Sequence, residues 1–344
     1  MTAELARDRY YKQTLLREIG PEGQEKLKNS SVVIAGCGAL GTSAANNMVR
    51  AGVGKVTIID RDYIEYDNLP RQILFDEDDI KKGLPKAVAA AEKLQKINSS
   101  AEIVPVVADL TSANIEKLVA GADLIMDGTD NFETRFLINE VSDKLRIPWI
   151  YAGVVSTYGM VFPVIPGTTP CLNCFIADIP SPGSTPTCDT AGVLGAAVTF
   201  ITSIETAEAL KILTGDSASV SRALIYADVW EGTYQKFNVT SRGIDCPVCG
   251  NHRYDFLEKG RGSKTVTLCG QNSVQVSPDS EGRIDFNELA GRLEGSGEVR
   301  YNNYMMNFKT GDFELNIFPE GRVIIKNISD PVAAKTLYSK YIGL

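Results

Sequence analysis

The sequence predicts an α/β protein: a doubly wound, mostly parallel sheet with an antiparallel extension, followed by a small C-terminal α+β domain. Three observations carry this expectation. β-Branched runs alternate with helical patterns through the first half, a glycine-rich turn follows the first run, and the strands beyond residue 150 look antiparallel. Strands separated by helices run parallel, and the helices then cover both faces of the sheet.

The runs are SVVIA at 31, VTIID at 56, EIVPVVADL at 102, DLIMD at 123 and then WIYAG. Between them, the glycine turn opens a helix that continues through Asn47 and Arg50. Pro85 stands where a first helical residue would, before KAVAAAEKLQKI, and Asn131 begins NFETRFLINEVSDKL. After 150 come a Pro/Gly/Ser/Thr loop at 180–187, an apolar helix from about 190 to 214, and the strands RALIYADVW and YQKFNV. The composition of EKGRGSK, 258–264, is that of a linker. This divides the chain into 1–257, the linker, and 265–344, where FNELAGRL and PVAAKTLYSKYI read as helices and NYMMNF, FELNIF and RVIIK as strands. No site chemistry is visible in that last part.

A chain of 344 residues with net charge −8 buries a large core and presents no basic nucleic-acid surface. Its N-terminus is charged throughout, unlike a signal peptide, and the apolar stretch from Ala191 to Ile204 stops at Glu205, short of a membrane span. The expectation is a cytoplasmic protein with neither nucleic acid nor membrane as a partner. Its seven cysteines then read as ligands or nucleophiles.

Gly36, Gly38 and Gly41 supply a tight turn, room for a phosphate against backbone N–H groups, and a helix N-terminus that favours negative charge. Asp60, at the end of the next strand, stands where a carboxylate accepts from ribose hydroxyls. The turn is Rossmann-like, and alone it suits a nicotinamide dinucleotide at least as well as ATP. Asn68, Arg71 and Gln72 in NLPRQ, Lys86 in GLPK and Asp130 in DGTDN shift the balance. Cations at strand ends suit a triphosphate, and a carboxylate beside phosphate oxygens suits Mg²⁺.

Cys171-x-x-Cys174 and Cys246-x-x-Cys249 form two paired knuckles, the donor set of a closed, structural Zn²⁺ site. Cys188 stands apart in TPTCDTAGV, before the apolar helix, where a helix N-terminus favours a thiolate. Cys37 and Cys269 read as small packing residues.

The landmarks RYYKQ, EGQEKL, GCGALG, AGVGKVTIID, NLPRQILF, LPK, DGTDN, PCLNCF, CDTAGV and CPVCG, in this order over about 9–250, resemble the ThiF/MoeB-type adenylyltransferases, relatives of the ubiquitin-activating enzymes. CDTAGV and the extra C-terminal domain look most like the thiamine-biosynthesis branch. The resemblance implies ATP-dependent adenylation of the C-terminal Gly-Gly of a ubiquitin-like sulfur-carrier protein. It implies that Asp60 binds ribose, that Arg71 and Lys86 hold phosphates, that Asp130 binds Mg²⁺, and that Arg9 reaches ATP in the partner subunit of a homodimer. It further implies that Cys188 links covalently to the carrier or takes part in sulfur transfer, with a sulfurtransferase or cysteine desulfurase as a possible partner. Lys12 stands where the family has an arginine toward the γ-phosphate, and Pro70 stiffens the loop before Arg71. The alternatives are the molybdopterin-synthase branch, an NAD-dependent oxidoreductase with structural zinc, and a scaffold without turnover.

Overall fold

The computed structural model describes residues 9–177, 179, 188–259, 265–268, 273–277 and 283–342. The loop at 180–187, most of the expected linker and Cys269 lie outside the described residues. The chain forms two units, Met1–Gly260 and Arg261–Leu344.

In the first unit the strands β1 (Ser31–Ala35), β2 (Lys55–Ile59), β3 (Glu102–Val106), β4 (Leu124–Asp127) and β5 (Trp149–Val155) are all parallel. β6 (Tyr158–Val164), β7 (Ala223–Asp228) and β8 (Thr233–Asn238) continue the sheet antiparallel, in the order β3-β2-β1-β4-β5-β6-β7-β8. Pro105 lies within β3 without breaking a ladder because β3 is an edge strand.

The helices follow in chain order: α1 (Tyr11–Thr14), α2 (Gly20–Asn29), α3 (Ala39–Ala51), α4 (Glu77–Lys82), α5 (Lys86–Ile97), α6 (Ile115–Val119), α7 (Phe132–Leu145), α8 (Leu172–Phe175), α9 (Cys188–Ala191), α10 (Gly195–Thr214) and α11 (Asp255–Lys259). Alternation along the strands separates two cores, as a pleated sheet requires. Val32, Ile34, Leu124 and Met126 face α2, α3, α5 and α10, joining Leu27, Met48, Leu94 and Ile201. Val33, Ala35 and Ile125 face α6, α7, α8 and α11, joining Phe136, Val141, Leu172 and Leu257. Fully burying an aromatic such as Phe136 contributes roughly 2–3 kcal/mol.

Three sequence expectations shift at their edges. Pro85 is the N-cap of α5 rather than its first residue. The apolar helix starts at Gly195, because Gly192 turns left-handed at φ 72° and residues 192–194 bond to Ser156 through Gly192 O and Leu194 N. Residues 258 and 259, assigned to the linker, close α11. Among the described residues no helix is long and apolar enough to cross a membrane.

The second unit is an antiparallel sheet of β9 (Thr265–Leu268), β10 (Ser273–Val276), β11 (Glu298–Tyr301), β12 (Met306–Thr310), β13 (Phe313–Ile317) and β14 (Val323–Lys326), ordered β11-β12-β13-β14-β10-β9. Helices α12 (Phe286–Leu293) and α13 (Pro331–Tyr341) supply Phe286, Leu289, Leu293, Ala334 and Tyr338 to a core with Met306, Phe308, Leu315 and Ile325. Both helices are capped by aspartates: Asp285 accepts from Asn287 N at 2.8 Å and Asp330 from Val332 N at 2.9 Å.

Candidate active site at the sheet rim

The order of strands in the parallel region reverses between β1 and β4, so the loops after these two strands flank the crevice in which doubly wound sheets bind ligands. Three glycines close it from below. Gly36 has φ 91°, and a Cβ there would stand 2.6 Å from Gly128 O. A Cβ on Gly41 would stand 1.9 Å from Gly36 O, and one on Gly128 2.5 Å from the same atom. No side chain fits at any of the three. Gly38 is different: its φ is negative and the nearest atom to a Cβ is Gly128 O at 3.8 Å. Internal packing therefore does not require a glycine at 38, and the space above it, at the N-terminus of α3, is free for an anion.

Asp60, one residue past β2, binds the turn directly. Its Oδ2 accepts from Cys37 N and its Oδ1 from Asp62 N, both at 2.6 Å. A carboxylate has about four acceptor positions, so two remain for hydroxyl donors. Burial pushes the Asp60 carboxyl up, Asp62 pushes it further, and Lys86 pulls it back. Lys86 begins α5 beside it, with its N–H donating to Asp62 O at 2.8 Å and its Nζ 3.5 Å from Asp62 Oδ2. Burial favours the neutral amine, but the charges of Asp62 and Asp60 outweigh it and hold Lys86 above its ordinary range. Asp130 lies within charge reach of Lys86, on the exposed loop after β4.

That loop is anchored from within. Asp127 is wholly buried. Its Oδ1 accepts from Thr129 N at 2.9 Å and Thr129 Oγ1 at 2.6 Å, while Oδ2 accepts from Arg135 Nε at 2.8 Å. Arg135 Nη2 also donates to Thr129 O at 2.8 Å and Ala152 O at 2.9 Å. Removing one partner of such a buried pair costs about 3–5 kcal/mol, so Asp127 and Arg135 fix the strand end that presents Asp130.

The sequence-predicted residues divide accordingly. Gly36, Gly38, Gly41, Asp60, Lys86 and Asp130 come together at the rim. Arg71, half-exposed, donates to Asp67 O in its own loop. Asn68 is buried as part of a capping box, accepting from Glu65 N at 3.1 Å and donating to Asp67 at 3.0 Å, a role in building the loop. Gln72 is buried with no hydrogen-bond partner for Oε1. Arg9 and Lys12 are not brought to this rim within the protomer. Arg9 Nη1 donates to Ile97 O at 2.6 Å, at the opposite end of α5 from Lys86, and the Lys12 amine lies 5.6 Å from the Tyr11 ring centroid. Cys188 opens α9 against the end of β5, with Sγ 3.7 Å from Val154 O. Two strand spacings, roughly 10 Å, separate β5 from β1 in the sheet.

Sequence reasoning missed Arg61, Asp62, Asp109, Asp127 and Arg135. Arg61 pairs with Asp109 at 2.7 Å beyond β2 and β3. The nearest sequence signal for Asp62 is its place two residues after Asp60. Nothing in the spacing of Asp127 and Arg135 announces their pairing.

The second cysteine site assembles as the spacing predicts. The sulfurs of Cys171, Cys174, Cys246 and Cys249 all lie within 4.8 Å of one another, with Cys171–Cys246 and Cys174–Cys249 at 3.5 Å. Zn–S bonds of about 2.3 Å in a tetrahedron demand edges of about 3.8 Å, so the donor set fits zinc. His252 is outside it, its Nδ1 2.7 Å from Asp143 Oδ2.

The ThiF family pattern matches residues 10–248, well over half of the sequence. The chain belongs to the ThiF family. This ThiF-family chain is 42% identical over 338 residues to the sulfur carrier protein ThiS adenylyltransferase of Bacillus subtilis, covering 97% of this chain and 99% of the relative. It is 35% identical over 251 residues to the SAMP-activating enzyme E1 of Haloferax volcanii, covering 73% and 92%. Among solved structures, the crystal structure of E. coli MccB matches with TM-score 0.62 and 25% identity, covering 74% of this chain and 76% of that one.

Proposed function

We propose that this ThiF-family protein is an adenylyltransferase acting on the C-terminal glycine carboxylate of a ubiquitin-like sulfur-carrier protein, for thiazole formation in thiamine biosynthesis. One observation carries the reading: the 42% identity to a ThiS adenylyltransferase extends through the C-terminal unit and almost the full length of both chains. The relatives named adenylyltransferase and sulfurtransferase MOCS3 begin at 34% identity over 71% of this chain and 55% of their own.

In the reaction a carrier carboxylate oxygen attacks the α-phosphorus of ATP. The bond from that phosphorus to the bridging oxygen breaks, its electron pair leaves with pyrophosphate, and the acyl-adenylate remains. The nucleophile is already ionised, so no base is required, and catalysis consists of positioning and charge neutralisation. Asp60 accepts from the ribose, the turn at Gly38 receives phosphate on backbone N–H groups, and Lys86 and Arg71 supply positive charge. Asp130 would hold Mg²⁺, which would supply charge neutralisation to the triphosphate. The four cysteines would hold Zn²⁺, which would tie 171–174 to 246–249. Cys188 is the residue for the later covalent or sulfur-transfer step, and a homodimer is the assembly in which Arg9 serves ATP.

Exchange of labelled pyrophosphate into ATP tests this. Exchange that depends on a purified carrier ending in Gly-Gly is expected. Absence of exchange with every carrier, together with tight NAD binding, would transfer the site to a dinucleotide.

A further inference from the structure

Both cysteine pairs are fastened to one helix. Cys171 is the N-cap of α8 and Cys174 lies within it, and the first amide of this single turn, Leu172 N, has no acceptor inside the helix. An N-cap side chain ordinarily satisfies one of the first donors, but Cys171 makes no such bond. Asn139 of α7 stands in for it. Its Oδ1 accepts from Leu172 N at 2.9 Å, and its Nδ2 donates to Asn173 Oδ1 at 2.9 Å. Asn139, Leu172 and Asn173 are all buried, so solvent replaces neither bond.

The segment that follows Cys246 and Cys249 is tied to the same helix. Glu140 accepts from Phe256 N at 3.1 Å and from Leu257 N at 2.8 Å. Asp143 Oδ2 accepts from Tyr254 OH at 2.9 Å and lies 2.7 Å from His252 Nδ1. Asn139, Glu140 and Asp143 therefore refer both pairs to α7. Along the chain, 75 positions separate Cys171 from Cys246 and Cys174 from Cys249, whose sulfurs approach to 3.5 Å.

We infer that Asn139 is the positioning residue of the four-thiolate site: its carboxamide holds the Cys171–Cys174 turn at zinc distance from Cys246 and Cys249. This role rests on the zinc reading of the four cysteines. The residue type follows from the bonding. Leu172 N only donates, so an acceptor must face it, and Asn173 Oδ1 takes a donor from the same side chain. An aspartate at 139 keeps the acceptor but loses the donor. It also brings a buried charge to a cluster that is already negative, because four thiolates outweigh one Zn²⁺. A neutral amide avoids both losses.

Competition for zinc between the full-length protein and a chromogenic chelator measures this without catalysis. Asn139→Ala and the isosteric Asn139→Asp should each hold zinc about 10–100-fold more weakly than wild type, the range seen when groups that support metal ligands are removed. Ser142→Ala is the control: it removes another buried bond of α7, from Ser142 Oγ to Ile147 O at 2.6 Å, that touches neither cysteine pair, and it should hold zinc as wild type does. Wild-type affinity in both Asn139 variants, or an equal loss in Ser142→Ala, would overturn the role of Asn139. Amide hydrogen exchange of the protein as purified reads the bond itself, and Leu172 N should exchange ~10-fold faster in Asn139→Ala than in wild type. Wild type that binds no zinc would instead overturn the four-thiolate reading and leave exchange at Leu172 to decide whether Asn139 holds the turn.

Discussion

Two glycines of one turn should respond oppositely to the same substitution. In Gly41→Ala the new methyl stands 1.9 Å from Gly36 O and 2.8 Å from its carbonyl carbon, so the backbone must move by more than 1 Å to restore ordinary contact. Overpacking of this kind costs about 1–3 kcal/mol, which lowers the melting temperature of a unit of this size by roughly 2–10 °C. In Gly38→Ala the methyl meets nothing nearer than 3.8 Å and φ is −82°, so the fold should change by less than about 1 kcal/mol. Its methyl instead occupies the approach to the N-terminus of α3, and ATP should bind at least ~10-fold more weakly, about 1.4 kcal/mol. Thermal unfolding and ATP titration of both variants measure the two effects separately. If Gly38→Ala binds ATP like wild type, phosphate does not approach the turn there. If Gly41→Ala melts with wild type, the close packing of the three glycines is wrong.

Asp130→Ala should abolish pyrophosphate exchange with an unchanged melting temperature, since the side chain is exposed; undiminished exchange would remove it from the site. Metal analysis should find about one zinc per chain, and Cys246→Ser, which removes a buried ligand, should lose the metal and a large share of the roughly 10 kcal/mol its binding contributes. A full zinc content in that variant would refute the four-thiolate site. Cys188→Ser should keep exchange but impair sulfur transfer; loss of both would place the thiol in adenylation itself.

The layered architecture was legible because it follows from local patterns. Alternating runs such as VVIA and VTII point residues to opposite faces, and the helices between them leave only a parallel sheet covered on both sides. The placement of the rim residues was legible where a residue stands beside a strand end or opens a helix, as Asp60, Asp130 and Lys86 do. It was not legible where the role depends on a partner distant in the chain. Asp127 reads as one more acid in DLIMDGTD until Arg135, a turn into the next helix, folds back onto it. Asn68 was legible as a landmark, but its part in the loop's own cap was not, because that depends on how Glu65 and Asp67 fold around it.

The position of Arg9 limits what a single chain can do. Arg9 caps the last carbonyl of α5, and Lys86 opens that helix; the 12 residues make 11 steps of 1.5 Å, about 16.5 Å between its ends. Lys12 lies three residues further along the same segment, and Gln13 of that segment is fixed to Ala51 O, at the end of α3 opposite the glycine turn. One protomer therefore holds both residues near the ends of α5 and α3 that lie away from Lys86 and the glycine turn. Arg9 thus has two possible uses that geometry keeps apart: a cap on α5 in its own chain, or a phosphate ligand across an interface. The second requires a second copy of the chain whose α1 end faces this rim, so for this residue the question of catalysis is a question of assembly. Lys86 and the glycine turn carry no such condition, because everything that positions them belongs to the same chain.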